Sequence, residues 1–239
     1  VFEIYKDFVT NQQFRTDVFT RGAPLPSPKS RHAGLLDLPL TRLSAVAVRP
    51  GSVSFGSTSL DLDRPPERAI LQALGEERAL GAELVEGAAS GPEEAVAILR
   101  GLANLLIAGQ VVPAVAAPRP VPGALPERVR LASAVNRAAL AVVGDEALRV
   151  WLAAPTTGGI ETLRGHEPIL LRGHLAGVPA RQRAAALQET LTRADRALVG
   201  PDGRPLRGEP ARQAALRAAQ TYTVSVVPRL MRLGILEAA

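Results

Sequence analysis

Apolar residues recur at helical spacing in several parts of the chain, most clearly over residues 92–108. Pro92 suits the first turn of a helix, and the two glutamates that follow it complement the positive end of the helix dipole. Gly109 ends the pattern, as glycine commonly does after a helix. The pattern therefore predicts a helix whose buried stripe is formed by Val96, Leu99, Leu102 and Leu106.

Other segments show shorter helical or β-prone patterns. Pieces with β-prone residues, interrupted by Pro50 and Gly51, predict a small sheet or hairpin between residues 45 and 62. Residues 110–112 predict a strand directly after the helix described above. Further helices are predicted over residues 68–74, 79–85, 169–175, 179–198 and 210–233, the last of them kinked at Pro228.

The order of three helices followed by a β element occurs twice along the chain, and this order is typical of a winged-helix unit. The second occurrence surrounds a turn at residues 199–206. We therefore expect a mainly α fold with small β elements, of the α+β class, that contains two winged-helix-like modules. The expected domains are a regulatory or middle domain at residues 1–120 and a helical C-terminal domain at residues 121–239.

The composition indicates cores with few large rings. Hydrophobic residues make up 46% of the 239 residues and aromatic residues only 3%, so Leu, Ala, Val and Ile must fill the core. Five of the eight aromatic residues lie within residues 2–19, where they would either belong to a domain core or face a preceding domain. The prolines of residues 23–28 predict an extended linker after this cluster.

Charge and cysteine content disfavour several classes of function. The 28 Lys and Arg against 23 Asp and Glu are spread along the chain, usually with acids nearby, so nucleic-acid binding is not favoured. The lack of cysteine removes disulfides, thiolate nucleophiles and cysteine-based metal sites. The longest apolar stretch, residues 95–117, is interrupted by polar residues and a proline, which predicts no membrane span. An N-terminus unlike a secretory signal predicts a cytoplasmic location, and a start at Val1 fits a fragment of a longer protein.

Catalytic and cofactor motifs are missing from the sequence. A class I methyltransferase core needs a glycine-rich turn after its first strand, whereas Gly158 and Gly159 form an isolated pair. The three histidines lack the spacing of a helical metal pair, and Ser54 lacks one of the two flanking glycines of a hydrolase elbow. We therefore predict no catalytic, metal-binding or cofactor-binding residue in this chain, and no Rossmann-like catalytic domain.

Residues 7–15 carry the most specific signal. Their sequence, Asp-Phe-Val-Thr-Asn-Gln-Gln-Phe-Arg, resembles the Asp-Phe-x-x-Asn-x-x-Phe-Arg stretch of the methyltransferase regulatory domain. In many prokaryotic S-adenosylmethionine-dependent methyltransferases this domain follows the catalytic domain. A proline-containing linker, short strands and a helical unit ending like Leu-Leu-x-x-Gly-x-Val come next in that family, similar to residues 23–28, 53–62 and 105–111 here.

The resemblance covers most of the chain, densely in its first half. Residues 132–136 and 162–167 are similar to two later motifs of the family, with Gly165 inserted into the second. The chain is also similar to the middle and C-terminal regions of bacterial protein lysine methyltransferases that modify outer-membrane proteins.

The resemblance implies a non-catalytic, regulatory or substrate-binding accessory region of a methyltransferase. S-adenosylmethionine is then expected in the catalytic domain of the parent protein and not in this chain. The implied partners are that catalytic domain and a protein substrate, and a homodimer is compatible with the sequence. The candidate contacts to a domain or partner are Asp7, Phe8, Asn11, Phe14, Arg15, Arg164, His166 and Glu167.

A DNA-binding winged-helix protein is the second interpretation. The first candidate recognition helix begins with Glu93 and Glu94, which DNA phosphates would repel. The second candidate recognition helix is better charged, with Arg181, Arg183, Arg193 and Arg196.

Overall fold

A computed structural model of the protein describes residues 27, 33–43, 51–55, 58–75, 77–126, 128–145 and 147–239. The chain divides into two compact units, residues 1–33 and 34–239, and all elements given below belong to the second unit. The aromatic cluster of residues 2–19 and the predicted β piece at residues 45–48 lie outside the described residues.

Among its described residues, the first half of the second unit has three helices of eight residues or more together with small antiparallel sheets. The predicted helix over residues 92–108 and the predicted hairpin between residues 45 and 62 are confirmed. The predicted buried stripe of that helix is wrong except at Leu102, because Val96 is 50% exposed and the other buried residues are Ile98, Gly101 and Leu105. The helices are α1 (Pro65–Leu74), α2 (Gly81–Ala88) and α3 (Pro92–Ile107). The strands are β1 (Pro39–Arg42), β2 (Ser52–Phe55), β3 (Thr58–Asp61), β4 (Arg78–Leu80) and β5 (Val111–Pro113).

Strand β1 lies between β4 and β5 in an antiparallel sheet, and the three helices pack with this sheet around one hydrophobic core. Leu40 on β1 and Val111 on β5 are completely buried in that core. The first turn of α2 runs so close to Leu35 that a Cβ at Gly81 would overlap the Leu35 carbonyl oxygen. Only glycine therefore fits at this position without a shift of the backbone.

The second half contains two further sheets and five helices within the described residues. The strands are β6 (Val129–Leu131), β7 (Arg149–Ala154), β8 (Gly159–Arg164) and β9 (Leu236–Ala238), with β6 paired to β9 and β7 to β8, both antiparallel. The helices are α4 (Ala134–Val142), α5 (Glu167–Leu175), α6 (Ala180–Arg193), α7 (Gly208–Thr221) and α8 (Val227–Arg232).

Helix α6 ends earlier than the predicted residue 198. Asp195 adopts a left-handed conformation with φ of 51°, and the Arg196 N–H donates to the Leu191 carbonyl at 2.8 Å. This is a common way to close a helix, and aspartate is among the few residues other than glycine that tolerate it.

The predicted helix over residues 210–233 is irregular directly before Pro228, the residue at which a kink is predicted. A π turn spans Tyr222–Val226, and the Val227 N–H donates to the Tyr222 carbonyl. Pro228 supplies no N–H, and its ring would clash with the carbonyl four residues earlier. Widening the preceding turn relieves this conflict, so the irregularity lies N-terminal to the proline.

Each half ends with a helix, a left-handed glycine and a short strand, in the same arrangement, which we call a corner. Gly109 (φ 66°) joins α3 to β5, and Gly234 (φ 72°) joins α8 to β9. In each corner the glycine N–H donates to the carbonyl three residues earlier, and the next N–H donates to the carbonyl five residues earlier, at 2.9–3.0 Å. The chain thus uses the same left-handed helix ending before both strands.

The second half has its own hydrophobic core, made by residues between 129 and 236. Arg232 on α8 links it to the first half, because its Nε donates to the Arg42 carbonyl at 2.7 Å while its side chain is 1% exposed. The two cores are compatible with the predicted division between residues 120 and 121, which stays a prediction.

The fold is of the mixed α+β class, with small antiparallel sheets. Among the described residues, no helix has both the length and the apolar character needed to cross a membrane.

Candidate functional site

The eight predicted contact residues fall into two groups. Asp7, Phe8, Asn11, Phe14 and Arg15 lie outside the described residues. Arg164, His166 and Glu167 lie together where β8 ends and α5 begins. The candidate site is therefore built around the β7–β8 hairpin.

The β7–β8 hairpin forms because its two strands alternate between the core and the outside. Val150, Leu152 and Leu163 point inward and are completely buried. The turn between the strands is held to the end of α8, because the Thr156 hydroxyl donates to the Arg232 carbonyl at 3.0 Å. Gly158 completes this turn with φ of 66°.

Helix α4 covers the outer edge of β7 through one side chain. Asn136 is completely buried, and its Nδ2 donates to the Ala153 carbonyl at 2.9 Å while its Oδ1 accepts from the Ala153 N–H at 2.7 Å. The amide thus takes the place of a neighbouring strand at this residue. Ser133 holds the start of α4, because its Oγ accepts from the Asn136 N–H at 3.1 Å.

The outward side of the hairpin exposes large apolar side chains. Trp151, the only tryptophan of the chain, is 55% exposed, and Ile160 is 70% exposed. We call this outward side the hairpin face, and its cross-strand pairs are Arg149 with Arg164, Trp151 with Thr162 and Ala153 with Ile160.

Two like charges meet on the hairpin face. Arg149 and Arg164 are directly opposite each other in the strand register, an arrangement that destabilises a sheet when nothing compensates it. Among the described residues no carboxylate forms an ion pair with either of them. The face therefore combines exposed apolar area with two unneutralised positive charges.

An ion cluster anchors the hairpin to α8 from the inner side. Arg229 Nη2 lies 3.0 Å from Glu161 Oε1 and 3.4 Å from Glu167 Oε1, and all three side chains are less than one third exposed. Burial raises the pKa of the Glu161 carboxyl above its ordinary value, and the Arg229 charge acts in the opposite direction. The Arg164 N–H donates to Glu167 Oε2 at 3.0 Å, so the same carboxylate also fixes the end of β8.

The three described contact candidates thus differ in what they offer to a partner. Glu167 is held within the ion cluster, and His166 sits at the N-terminus of α5, where its carbonyl accepts from Leu170 at 3.1 Å. Arg164 is an exposed residue of the hairpin face.

A group of buried polar side chains lies between α5, α6 and the π turn. This group was not predicted from the sequence. His174 and Tyr222 are at most 3% exposed, their ring centroids lie 6.2 Å apart, and neither has a hydrogen-bond partner for its polar atoms. Burial, with a contribution from the Arg183 charge, lowers the pKa of His174 to about 4, and the Pro126 backbone acts in the opposite direction. Burial also raises the pKa of the Tyr222 hydroxyl.

Arg183 belongs to the same buried group. It is 5% exposed, and its Nη2 donates to the Thr223 hydroxyl at 2.8 Å. Gly173 on α5 leaves the room for its side chain, since a Cβ there would lie 2.9 Å from the Arg183 Cγ. Arg183 is therefore unable to contact DNA phosphates, in contrast to its predicted place on a recognition helix.

Within the described ranges, no three His, Cys, Asp or Glu side chains come together in a group that could hold a metal ion. Comparison of the chain with models of known protein families, with curated proteins and with solved structures gave no match.

Proposed function

We propose that this chain is a non-catalytic accessory region of an S-adenosylmethionine-dependent methyltransferase, and that the hairpin face binds the catalytic domain of that enzyme. The observation that carries the docking part is the exposure of Trp151 and Ile160 beside two unneutralised arginines. Tryptophan and arginine are the residues that most often dominate the binding energy of a protein interface. A carboxylate on the partner would relieve the repulsion between Arg149 and Arg164.

The methyltransferase part of the proposal is supported by the resemblance at residues 7–15. The element order of the first half supports it further. We interpret α1, β4, α2, α3 and β5 as a winged-helix-like module in which β1, from upstream of the helices, supplies the central strand. This order agrees with the family's helical unit followed by a strand.

A second winged-helix-like module in the other half is supported by the repeated corner. The sequence Leu-Met-Arg-Leu-Gly-Ile-Leu at residues 230–236 is similar to the Leu-Leu-x-x-Gly-x-Val pattern. Leu230 and Gly234 match it, Met231 replaces the second leucine, and Leu236 replaces the valine. This segment also has the same hydrogen bonds as residues 105–111. The second module would therefore end at α8 and β9.

The methyltransferase assignment is tested by titrating S-adenosylmethionine into two proteins in a calorimeter. The natural polypeptide that contains residues 1–239 together with a catalytic domain should bind the cofactor, and residues 1–239 alone should not. Micromolar binding by residues 1–239 alone would contradict the proposal. So would a natural polypeptide that neither binds the cofactor nor transfers its methyl group.

The docking surface is tested by measuring how tightly the separately produced catalytic domain binds residues 1–239. The double variant Trp151→Ser/Ile160→Ser should weaken binding by about tenfold or more, because it removes the apolar centre of the face. Ile107→Ser is the matched control, since Ile107 is 63% exposed at the end of α3 and far along the chain from the hairpin. Equal binding by the double variant and the control would show that the hairpin face is not the contact.

A further inference from the structure

A groove of about 630 Å³ lies between α6 and α7. Gln188 and Thr192 on α6 supply polar lining, and three arginines, Arg196, Arg207 and Arg212, line it as well. Asp195 is the acidic residue among the lining residues. The groove contains no residue of the hairpin face, so it is a separate feature of the molecule.

The arginines of the groove differ from their neighbours in their ionic partners. Arg193, the last residue of α6 and three residues before Arg196, forms an ion pair with Glu189 at 2.8 Å. Arg196 and Arg207 form no ion pair with a carboxylate among the described residues, and Arg212 has a loose pair with Glu209 at 3.6 Å. Two guanidinium groups are thus free to bind an anion in the groove.

The loop that forms one wall of the groove is held by its own backbone. The Leu206 N–H donates to the Leu198 carbonyl at 2.7 Å, and the Gly200 N–H donates to the Arg204 carbonyl at 2.8 Å. A β-bridge joins Val199 and Pro205 between these bonds. The wall that carries Arg207 is therefore organised before any ligand binds, which lowers the entropy cost of binding.

A small recess continues from the groove toward the core. It has a volume of about 70 Å³, and the apolar residues among its lining are Leu191, Ala197, Leu198, Leu206 and Ala211. About 10–15 Å³ of such cavity space holds one water molecule, so the recess has room for a short group of a few non-hydrogen atoms. Gln188, Thr192 and Arg196 line the recess as well, so it is only partly apolar. A partly apolar recess beside a cationic groove suits a ligand with one anionic end and one short apolar end.

We propose that this groove binds a phosphate monoester whose ester group is small and apolar. Arg196 and Arg207 bind the phosphate, because guanidinium groups match phosphate oxygens in pairs of hydrogen bonds. The ester group enters the recess between α6 and α7. A groove of this volume is in the range of small-ligand sites, and Arg183 is buried, so a nucleic-acid duplex is the less suitable occupant.

The test compares ethyl phosphate with inorganic phosphate, each titrated into residues 1–239 and followed by calorimetry. Ethyl phosphate should bind about tenfold more tightly, because two carbon atoms leave water for the recess. Arg196→Gln and Arg207→Gln should each weaken binding about tenfold, and Arg193→Gln, the control on the same helix, should leave it within about twofold. If ethyl phosphate does not bind at a concentration of about 10 mM, the proposal is overturned.

Two further variants separate the groove from a general charge effect. Asp195→Asn should tighten ethyl phosphate binding by about threefold, because it removes the acid of the groove and asparagine accepts the left-handed backbone. Ala211→Leu should fill the recess and abolish the preference for ethyl phosphate while inorganic phosphate still binds. Circular dichroism checks that this variant folds, and Ala211→Val is the smaller substitute if it does not.

Three outcomes would overturn the proposal even if the protein binds anions. In the first, the protein binds duplex DNA with a steep salt dependence and does not bind ethyl phosphate. In the second, it binds ethyl phosphate and inorganic phosphate with equal affinity. In the third, Arg193→Gln and Arg196→Gln weaken phosphate binding equally. Phosphate binding in the groove is independent of the docking of a catalytic domain. The double variant Trp151→Ser/Ile160→Ser should therefore leave phosphate binding unchanged.

Discussion

Replacing His174 by leucine should remove a specific part of the pH dependence of stability. The His174 ring is 3% exposed, and neither of its nitrogens makes a hydrogen bond of good geometry. Burial and the Arg183 charge lower its pKa from 6.5 to about 4, and the Pro126 backbone opposes them only weakly. The folded protein thus favours the neutral ring. Leucine is also neutral, has a similar volume and brings no unpartnered polar atom into this position.

The sign and size of the effect follow from the two pKa values of His174. Between pH 6.5 and pH 4 the unfolded chain binds the proton and the folded chain does not, so stability is fully present above pH 6.5 and is lost as the pH falls. Each pH unit in this window is worth up to about 1.4 kcal/mol. The wild type should therefore lose about 2 kcal/mol more than His174→Leu between pH 7 and pH 5.

The assay is urea unfolding followed by the fluorescence of Trp151, the only tryptophan, which lies in the same half of the molecule as His174. Differences between wild type and variant cancel the contributions of the other titrating groups, provided that these groups are not coupled to His174. Parallel stability curves for the two proteins from pH 7 to pH 5 would refute the reasoning, since they would mean that His174 is protonated as easily in the folded state as in the unfolded one.

Three further substitutions test the packing around the site, each by urea unfolding. Asn136→Ala should lower the free energy of unfolding by about 3 kcal/mol, because two backbone groups of β7 lose their partners; an effect below about 1 kcal/mol would contradict the role given to this amide. Arg229→Gln should cost about 2 kcal/mol at pH 7 and much less at pH 4, because protonated Glu161 needs no cation, and a cost independent of pH would contradict this account. Gly81→Ala should destabilise by about 2 kcal/mol, whereas Gly87→Ala on the same helix, where the added Cβ meets open space, should be neutral or stabilising; equal effects would argue against the close approach.

Helices with strong end signals were predictable from the sequence. Pro92 and Gly109 enclose an apolar stripe of helical period, and the observed α3 ends one residue earlier than predicted. The strands β1 and β4 have only three or four residues, so neither contains enough positions to establish an alternating pattern. Their pairing depends on residues that are distant in the sequence, which a local pattern does not contain.

The β7–β8 hairpin was missed because its outward positions are themselves apolar. In the run Trp151-Leu152-Ala153-Ala154 the buried residues are Leu152 and Ala154, but the outward positions carry the exposed Trp151 and the half-buried Ala153. The alternation that normally marks a half-buried strand is therefore hidden. A position where the local rule fails without loss of the fold is where a functional surface is expected, and this supports the role proposed for the hairpin face.

The buried polar group could not be predicted for a different reason. Arg183 lies on a helix with two exposed arginines, Arg181 and Arg193, and nothing in the local sequence separates it from them. Its burial depends on the space left by Gly173 on another helix. The π turn that places Tyr222 and Thr223 beside it could have been suspected from Pro228, but the sequence does not show how far from the proline the backbone adjusts.

The exposure of Trp151 provides the most direct test of docking through the hairpin face. Hydroxyl-radical footprinting measures the oxidation rate of this side chain in residues 1–239 alone and in the longer natural polypeptide that, under the proposal, also contains a catalytic domain. Trp151 is 55% exposed in the isolated region, and burial at the centre of an interface should lower its oxidation rate by about fivefold or more, while Ile107 should change little. An unchanged oxidation rate of Trp151 in the natural polypeptide would contradict the proposal that this face binds the catalytic domain.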